Sequence, residues 1–486
     1  MNGLPDSPPR WWILAAALLY LIALFPSPEY PPYNADDGAL FMTLAMNLAD
    51  HGRYSTDTLV LAEYGHHATW PPLFPGLLAA IVALVGVNWM AIKLVMAAFG
   101  LAALFLLSRF WRGDGLGQWA ALSLAASPLW FLYSHHPMTE VVYLTAVVAT
   151  LITLERTDTV RSAMLAGLLG TAAFFLRGYA VTLLPAAGLF FLLRGNLALS
   201  ARLRLILAFA LPMLIGIAVW SVYTTHVIAH YPIDSITAGY GSGSGMLESM
   251  VRSPMEYIQR FWRHDLRYPL HLMFPLVGLQ QVLANDLLAL VSAGVLATCM
   301  LGWGLALKER RGILVLWLPM AIALLFVAKA SGARYWLTFL PFLMYYFLVA
   351  ARWFTKHVPH ARSAALALLL GSNLVALGLH LSQPDNLRFQ EPYWKSFRDL
   401  AAWSRTGLPA NALVVTETPN RFHAVALRDS VDRSVYPQFD TLVATGRPVY
   451  VVCAVSSHKD DALCGSQHGG TARLAREGAL EIYRLK

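Results

Sequence analysis

Apolar runs of bilayer length recur between residues 11 and 382, and few charges interrupt them. Crossing the hydrocarbon core takes about 20 helical residues, and backbone polar groups inside it must be satisfied internally. A chain of this kind therefore folds as a bundle of spanning helices. Charged residues make up 13% of it, about half the share usual in a soluble domain. The formal net charge of +8 is not a nucleic-acid footprint. The basic residues stand in short loops between apolar runs, where they orient a membrane protein, so nucleic acid is excluded as a partner.

About eleven spans are expected, roughly at 11–28, 90–108, 117–134, 141–154, 163–177, 179–194, 205–227, 285–307, 312–330, 336–351 and 363–382. The first follows Arg10 and precedes PSPEYPP, without a small-residue cleavage site, and reads as a retained helix. With the N-terminus inside, the inner connections carry Arg109 and Arg112, Arg156 and Arg161, then Arg194, Arg202 and Arg204. Later come Lys308, Arg310 and Arg311, then Arg352, Lys356 and Arg362, in agreement with the positive-inside rule. Residues 71–86 are short for a span and, counted as one, would place Arg109 and Arg112 outside. They read instead as a helix on the membrane surface. Residues 38–50, with Leu40, Phe41, Leu44 and Leu48 near helical spacing, read as a second. The first outer loop, about 29–89, thus holds two juxtamembrane helices.

An odd number of spans leaves the C-terminus outside. Composition turns polar near residue 383, dividing the chain into a membrane domain, 1–382, and an outer domain, 383–486. In the latter, 412–418, 448–455 and 480–486 read as strands and 393–405 as a helix, a small α/β domain. Cys299 lies in an apolar run and reads as a packing residue. Cys453 and Cys464 either pair in an oxidising compartment or stand as free thiols. The stretch GYGSGSG (239–245) sits in a long outer loop, 228–284. It lacks the frame of a phosphate-binding loop and reads as a mobile linker, with a substrate lid as the alternative.

Ionisable residues gather at one surface in this topology. Asp36 and Asp37 are in the first outer loop, and Lys93 is at the outer start of the second span. His135, His136 and Glu140 (SHHPMTE) form the next outer turn, Arg177 (FFLRGY) a third, and Lys329 and Arg334 (AKASGARYW) another. Each has a bland reading: a helix cap for the acids, snorkelling for Arg177, an ordinary surface position for His66, His67, His135 and His136, and a turn for Trp70 with Pro71 and Pro72. The joint pattern points to chemistry on an anionic lipid. A carboxylate accepts the proton of an attacking hydroxyl, and cations stabilise charge growing on a departing phosphate. A divalent ion held by carboxylate and histidine (Asp36, Glu140, His136) could assist. With no soluble nucleotide site visible, an activated donor would arrive through the membrane.

These residues lie in segments that resemble the GT-C-fold glycosyltransferases, bacterial relatives of the dolichyl-phosphate-mannose protein mannosyltransferases and the lipid A aminoarabinose transferase. ADDGALFMTLAMNLADHGRYS is similar to the family's first-loop motif, and ATWPPLFPGLLAAIVALVGVNWMAIKL to its Pro-Pro-Leu surface helix and following span. SHHPMTEVVYL, FFLRGYAVTLLP and GARYWLTFLPFL follow in the family order. The resemblance implies a polyprenyl-phosphate (undecaprenyl-phosphate) sugar donor and inverting transfer to a lipid, glycan or protein acceptor among membrane lipids. It matches Asp36 to the catalytic Asp, Asp37 to its acidic neighbour, Glu140 to the second acidic position, and Arg177 and Arg334 to positions for the lipid phosphate. Lys93 and Lys329 would support them, and His66, His67, Trp70 and Tyr335 would line the acceptor pocket. The chain departs at Trp70, where relatives often carry a charged residue or His before Pro-Pro. The Ala-, Leu- and Arg-rich style points to a bacterial inner membrane with the site on the periplasmic face. Two rivals belong to other classes. A flippase or transporter would show internal repeats, and none is evident. A glycan polymerase or ligase would show a large Arg-rich outer loop, for which Arg252, Arg260, Arg263 and Arg267 qualify.

Overall fold

The structure is a computed structural model. It describes residues 7–9, 11–22, 36–57, 66–231, 252–263, 265–309, 312–327, 332–382, 392–416, 419–432, 446–454, 472–477 and 480–484. Helices α1 (Trp12–Ile22), α2 (Asp36–His51), α3 (Leu73–Val85), α4 (Trp89–Phe110), α5 (Gly115–Ala125), α6 (Pro128–Tyr133), α7 (Thr139–Glu155) and α8 (Val160–Leu176) come first. A 3-10 turn (Gly178–Thr182) leads to α9 (Leu183–Leu192) and α10 (Leu199–His230). Then follow α11 (Pro254–Arg263), α12 (Tyr268–Met273), α13 (Leu279–Ala284), α14 (Asp286–Lys308), α15 (Leu314–Val327), α16 (Ala333–Leu337), α17 (Leu340–Phe354) and α18 (Ala361–Ser382).

Among the described residues α4, α10, α14 and α18 are long and apolar enough to cross a membrane, and six shorter apolar helices accompany them. This is a multi-pass membrane protein. Large apolar residues such as Leu14, Leu84 and Leu207 are exposed, while α17 is buried along nearly its whole length. Helix α14 lies against α17 at Gly302, where a Cβ would fall 1.8 Å from the Tyr346 carbonyl oxygen. Only a residue without a side chain admits so close an approach.

Several expected spans are not continuous. The 117–134 run divides into α5 and α6, because Pro128 offers no N–H and holds Ser127 extended at φ −70°, ψ 124°. The 179–194 run opens with the 3-10 turn, and 336–351 divides into α16 and α17. The 205–227 run is longer than expected. Helix α10 has 32 residues, about 48 Å at 1.5 Å per residue, and so outruns a hydrocarbon core of about 30 Å. Its far end meets the first loop: the Tyr223 hydroxyl donates to the His67 carbonyl at 3.1 Å. Among its described residues the expected loop 228–284 carries the short helices α11 to α13, and its Gly/Ser stretch lies outside the described residues.

The two helices expected in the first loop are present as α2 and α3, packed along each other with Phe41 edge-on to Phe74. The C-terminal region builds α19 (Pro392–Gly407), β1 (Leu413–Thr416), α20 (Pro419–Ala426), β2 (Asp429–Asp432), β3 (Val449–Ala454), β4 (Ala472–Glu477) and β5 (Leu480–Arg484). The sheet order is β2-β1-β3-β5-β4, with β1 parallel to β2 and β3, and β5 antiparallel to β3 and β4. Strands β2 and β4 escaped the sequence reading, since DSVD and ARLARE lack the apolar runs that marked the others. Helix α20 packs on α2, so the sheet region rests on that helix. Cys299 is a buried free thiol. Cys453 is disulfide-bonded, and Cys464 lies outside the described residues.

Candidate active site

Four elements bring their ends together. Helix α2 starts at Asp36 and places Asp37 in its first turn. Helix α7 starts at Thr139 and buries Glu140 completely in its own first turn, where the helix dipole favours a carboxylate. Arg177 ends α8 in an extended conformation (φ −151°, ψ 128°), next to the carbonyl end that favours a cation. Gly332, at φ +140°, makes the turn into α16 that sets Arg334 and Tyr335; a side chain there would be strained.

The side chains form two linked ion pairs. Arg334 Nη1 lies 2.6 Å from Asp37 Oδ2, and Arg177 Nη2 lies 2.7 Å from Glu140 Oε1. Arg177 Nε also donates to Thr139 Oγ1 at 2.6 Å, and Arg334 Nη2 donates to the Tyr335 hydroxyl at 2.7 Å. Both guanidiniums lie over the Tyr335 ring, 4.7 Å away for Arg334 and 5.1 Å for Arg177. Tyr179 meets Tyr335 edge-on at 6.2 Å, and the Tyr133 hydroxyl sits in the field of Glu140, Arg334, Arg177 and Asp37. The pairs are largely out of water: side-chain exposure is 12% for Asp37, 0% for Glu140, 11% for Arg177 and 22% for Arg334.

Desolvation works against the charge of each arginine, but the carboxylates outweigh it. Glu140 holds Arg177 above its usual pKa, and Asp37, helped by Tyr335, does the same for Arg334. Two fixed cations thus face two carboxylates. Among the described residues Glu140 Oε2 is buried and accepts no hydrogen bond, and Arg177 donates through Nε and Nη2 only. An acceptor and a donor edge remain for a bound molecule.

The other expected residues fall elsewhere. Lys93 is buried in α4 and acts on His135 and His136 rather than on the paired arginines. His135 bonds the carbonyls of Phe131 (2.8 Å) and Tyr20 (3.0 Å), a packing role. His136 is held well below its usual pKa, first by burial and then by His135 and Lys93, and its ring stacks on Tyr133 at 6.2 Å. His67 shapes the first loop: its Nε2 accepts from the Trp70 N–H at 3.0 Å. Trp70 packs on Phe41, and its carbonyl accepts from the Tyr54 hydroxyl. His66 lies against Tyr231 at 4.7 Å. Lys329 and the side chain of Asp36 lie outside the described residues.

Among the described residues no three His, Cys, Asp or Glu side chains come together to hold a metal ion. Of the expected set, Glu140 turns to Arg177 and His136 to Tyr133, and the Asp36 side chain lies outside the described residues. Tyr133, Thr139 and Tyr179 are the site neighbours that the sequence reading passed over. Each stands within a few residues of a turn it had singled out.

The backbone course of the chain has counterparts among solved structures. The chain adopts the GT-C fold. ArnT from Cupriavidus metallidurans bound to undecaprenyl phosphate superposes with a TM-score of 0.61 at 13% identity, covering 98% of this chain and 97% of that one. The apo state of the same protein gives 0.59 at 14% identity, covering 98% of both chains. The Archaeoglobus fulgidus oligosaccharyltransferase in complex with Zn and sulfate gives 0.54 at 13%, covering 98% of this chain and 73% of that one. No protein-family profile and no curated protein sequence matches the chain. At such identities the GT-C likeness is one of backbone course alone, and the site rests on this chain's own residues.

Proposed function

We propose that the chain is an integral membrane glycosyltransferase that moves a monosaccharide from a polyprenyl-phosphate donor to an acceptor hydroxyl, with inversion. The observation that carries this reading is the pair of arginines around Tyr335, each held by a carboxylate from a different helix end. Fixed cations suit a leaving lipid phosphate, because they are in place before charge develops. The fold supports it as well: the counterparts include a protein bound to undecaprenyl phosphate and an oligosaccharyltransferase tethered with an acceptor peptide.

In this reading Asp36, at the start of α2, takes the proton of the acceptor hydroxyl. The acceptor oxygen attacks the anomeric carbon, the bond from that carbon to the phosphate oxygen breaks, and the electron pair leaves with the polyprenyl phosphate. Arg177 and Arg334 stabilise that phosphate. Asp37 holds Arg334 in place, and Glu140 holds Arg177. The open Oε2 of Glu140 accepts a sugar hydroxyl, and Tyr335 and Tyr179 offer ring faces to the sugar or acceptor. The Ala-, Leu- and Arg-rich style suits a bacterial inner membrane, and the inner loops of Arg and Lys argue for this site and the C-terminal domain, 383–486, on the periplasmic face.

Two of the four arginines behind the polymerase reading hold packing contacts. Arg260 pairs with Asp265 (3.5 Å) and the Phe326 carbonyl, and Arg267 with Asp286 (2.7 Å) and the Val282 carbonyl. Both serve the packing of α11 to α15. The test is incubation of purified protein with a panel of polyprenyl-phosphate sugars and candidate acceptors, reading release of the lipid phosphate. Release that requires an acceptor and disappears in Asp36→Asn is expected. Equal release by wild type and Asp36→Asn would remove the assignment of the base.

A further inference from the structure

At the end of α4 away from Lys93, a cleft of about 600 Å³ opens between α1 and the α4–α5 turn. Its walls include Trp12, Ile13, Phe105, Arg109, Arg112 and Gln118. The turn is well anchored. Gln118 Nε2 donates to the carbonyls of Ser108 (2.5 Å) and Trp111 (3.3 Å), and Ser108 Oγ donates to Gln118 Oε1 at 2.9 Å. This ties the last turn of α4 to α5 and sets the two arginines on one rim.

Both arginines are exposed, and among the described residues neither side chain makes a hydrogen bond or ion pair. The carboxylate nearest in sequence, Asp114, is turned to other work: Oδ1 caps α5 at Leu116 N, and Oδ2 accepts from the Tyr345 hydroxyl at 2.8 Å. One helical turn along from Arg109, on the same face of α4, Phe105 is 54% exposed. Leu14 and Leu18, next along α1 from the cleft-lining Ile13, are exposed at 72% and 61%. A cationic rim directly above an apolar wall matches a molecule with an anionic head and hydrocarbon tails.

We propose that this cleft binds an anionic phospholipid, its phosphate between Arg109 and Arg112 and its acyl chains along Phe105 and Ile13. Basic pockets between spanning helices recognise anionic headgroups in this way, by charge and with a low-dielectric wall beside it. The cleft lies at the end of α4 opposite the buried Lys93, so its occupant belongs to the other leaflet from the donor of the proposed transfer.

Native mass spectrometry of the full-length protein in detergent, titrated with phosphatidylglycerol, phosphatidylcholine, undecaprenyl phosphate and inorganic phosphate, tests this. Phosphatidylglycerol is expected to bind well ahead of phosphatidylcholine, and R109Q/R112Q to weaken it about thirty-fold. The melting temperature of the double variant checks its fold. Phe105→Ala, which keeps both charges, is expected to weaken phosphatidylglycerol several-fold without changing the response to inorganic phosphate. Equal affinity for the two phospholipids, or undiminished phosphatidylglycerol binding in R109Q/R112Q, would overturn the proposal. Displacement by millimolar inorganic phosphate would mean a free-anion site, and preference for undecaprenyl phosphate a carrier-lipid site; either result also overturns it.

Discussion

The Asp37–Arg334 pair offers a way to separate positioning from proton transfer at the candidate site. At 2.6 Å and an effective dielectric of about 20, the attraction between the two charges is about 6 kcal/mol before desolvation. Exposures of 12% and 22% mean that desolvation offsets most of this, leaving a net coupling of about 2 kcal/mol. Arg334→Ala alone leaves Asp37 a desolvated, unpaired carboxylate and is expected to cost about 3 kcal/mol of stability. The double variant Asp37→Asn/Arg334→Ala is expected to cost less than the two single changes added together. Function follows the same logic. Loss of a charge-assisted contact to phosphate costs about 1.5–3 kcal/mol, so Arg334→Ala should lower kcat/KM for the lipid donor by about ten- to a hundred-fold. Asp37→Asn should raise donor KM about ten-fold with kcat changed only slightly, while Asp36→Asn should lower kcat by about 10²–10⁴. Steady-state kinetics with a defined polyprenyl-phosphate sugar, alongside thermal denaturation of all four proteins, supplies the cycle. A loss of kcat in Asp37→Asn with donor KM unchanged would refute the division of roles and move the base to Asp37. Additive stabilities within about 0.5 kcal/mol would show that the pair is not coupled.

Three further outcomes are expected. Glu140→Gln removes the countercharge of buried Arg177 and should both destabilise the protein by about 3 kcal/mol and abolish donor turnover, measured by thermal denaturation and lipid-phosphate release. Gly302→Val drives a side chain into the Tyr346 carbonyl and should cost at least about 2 kcal/mol by separating α14 from α17, read as a lowered melting temperature or lost monodisperse protein. His423 is held below its usual pKa, chiefly by burial, with Nδ1 on the Arg428 carbonyl at 2.8 Å. Its unfolded form therefore binds more protons near pH 6, so its contribution is full above about pH 6.5 and falls as pH drops towards the folded pKa. Limited proteolysis of the C-terminal region across that range should show increasing cleavage, and His423→Gln should flatten the dependence.

The sequence by itself determined the class of this protein. Hydropathy marked the apolar helices, and the amphipathic pattern of 38–50 predicted α2. These are local signals, each written in a window of a dozen or so residues. It also singled out Asp37, Glu140, Arg177 and Arg334, because a charge at the end of an apolar run needs a reason. Helix interruptions were partly legible, since Ser127-Pro128 announces its own break. The pairing was not legible. Nothing in the spacing says that Asp37 meets Arg334 while Glu140 meets Arg177, or that Tyr335 lies under both guanidiniums. Nor does it say that Lys93 turns to the histidines, or that His67 closes a loop on Trp70. Those choices belong to helix packing. A side chain at a helix end can reach only what the neighbouring helix ends present, and which ends are neighbours is decided by close approaches such as Gly302 on Tyr346, far away in the bundle.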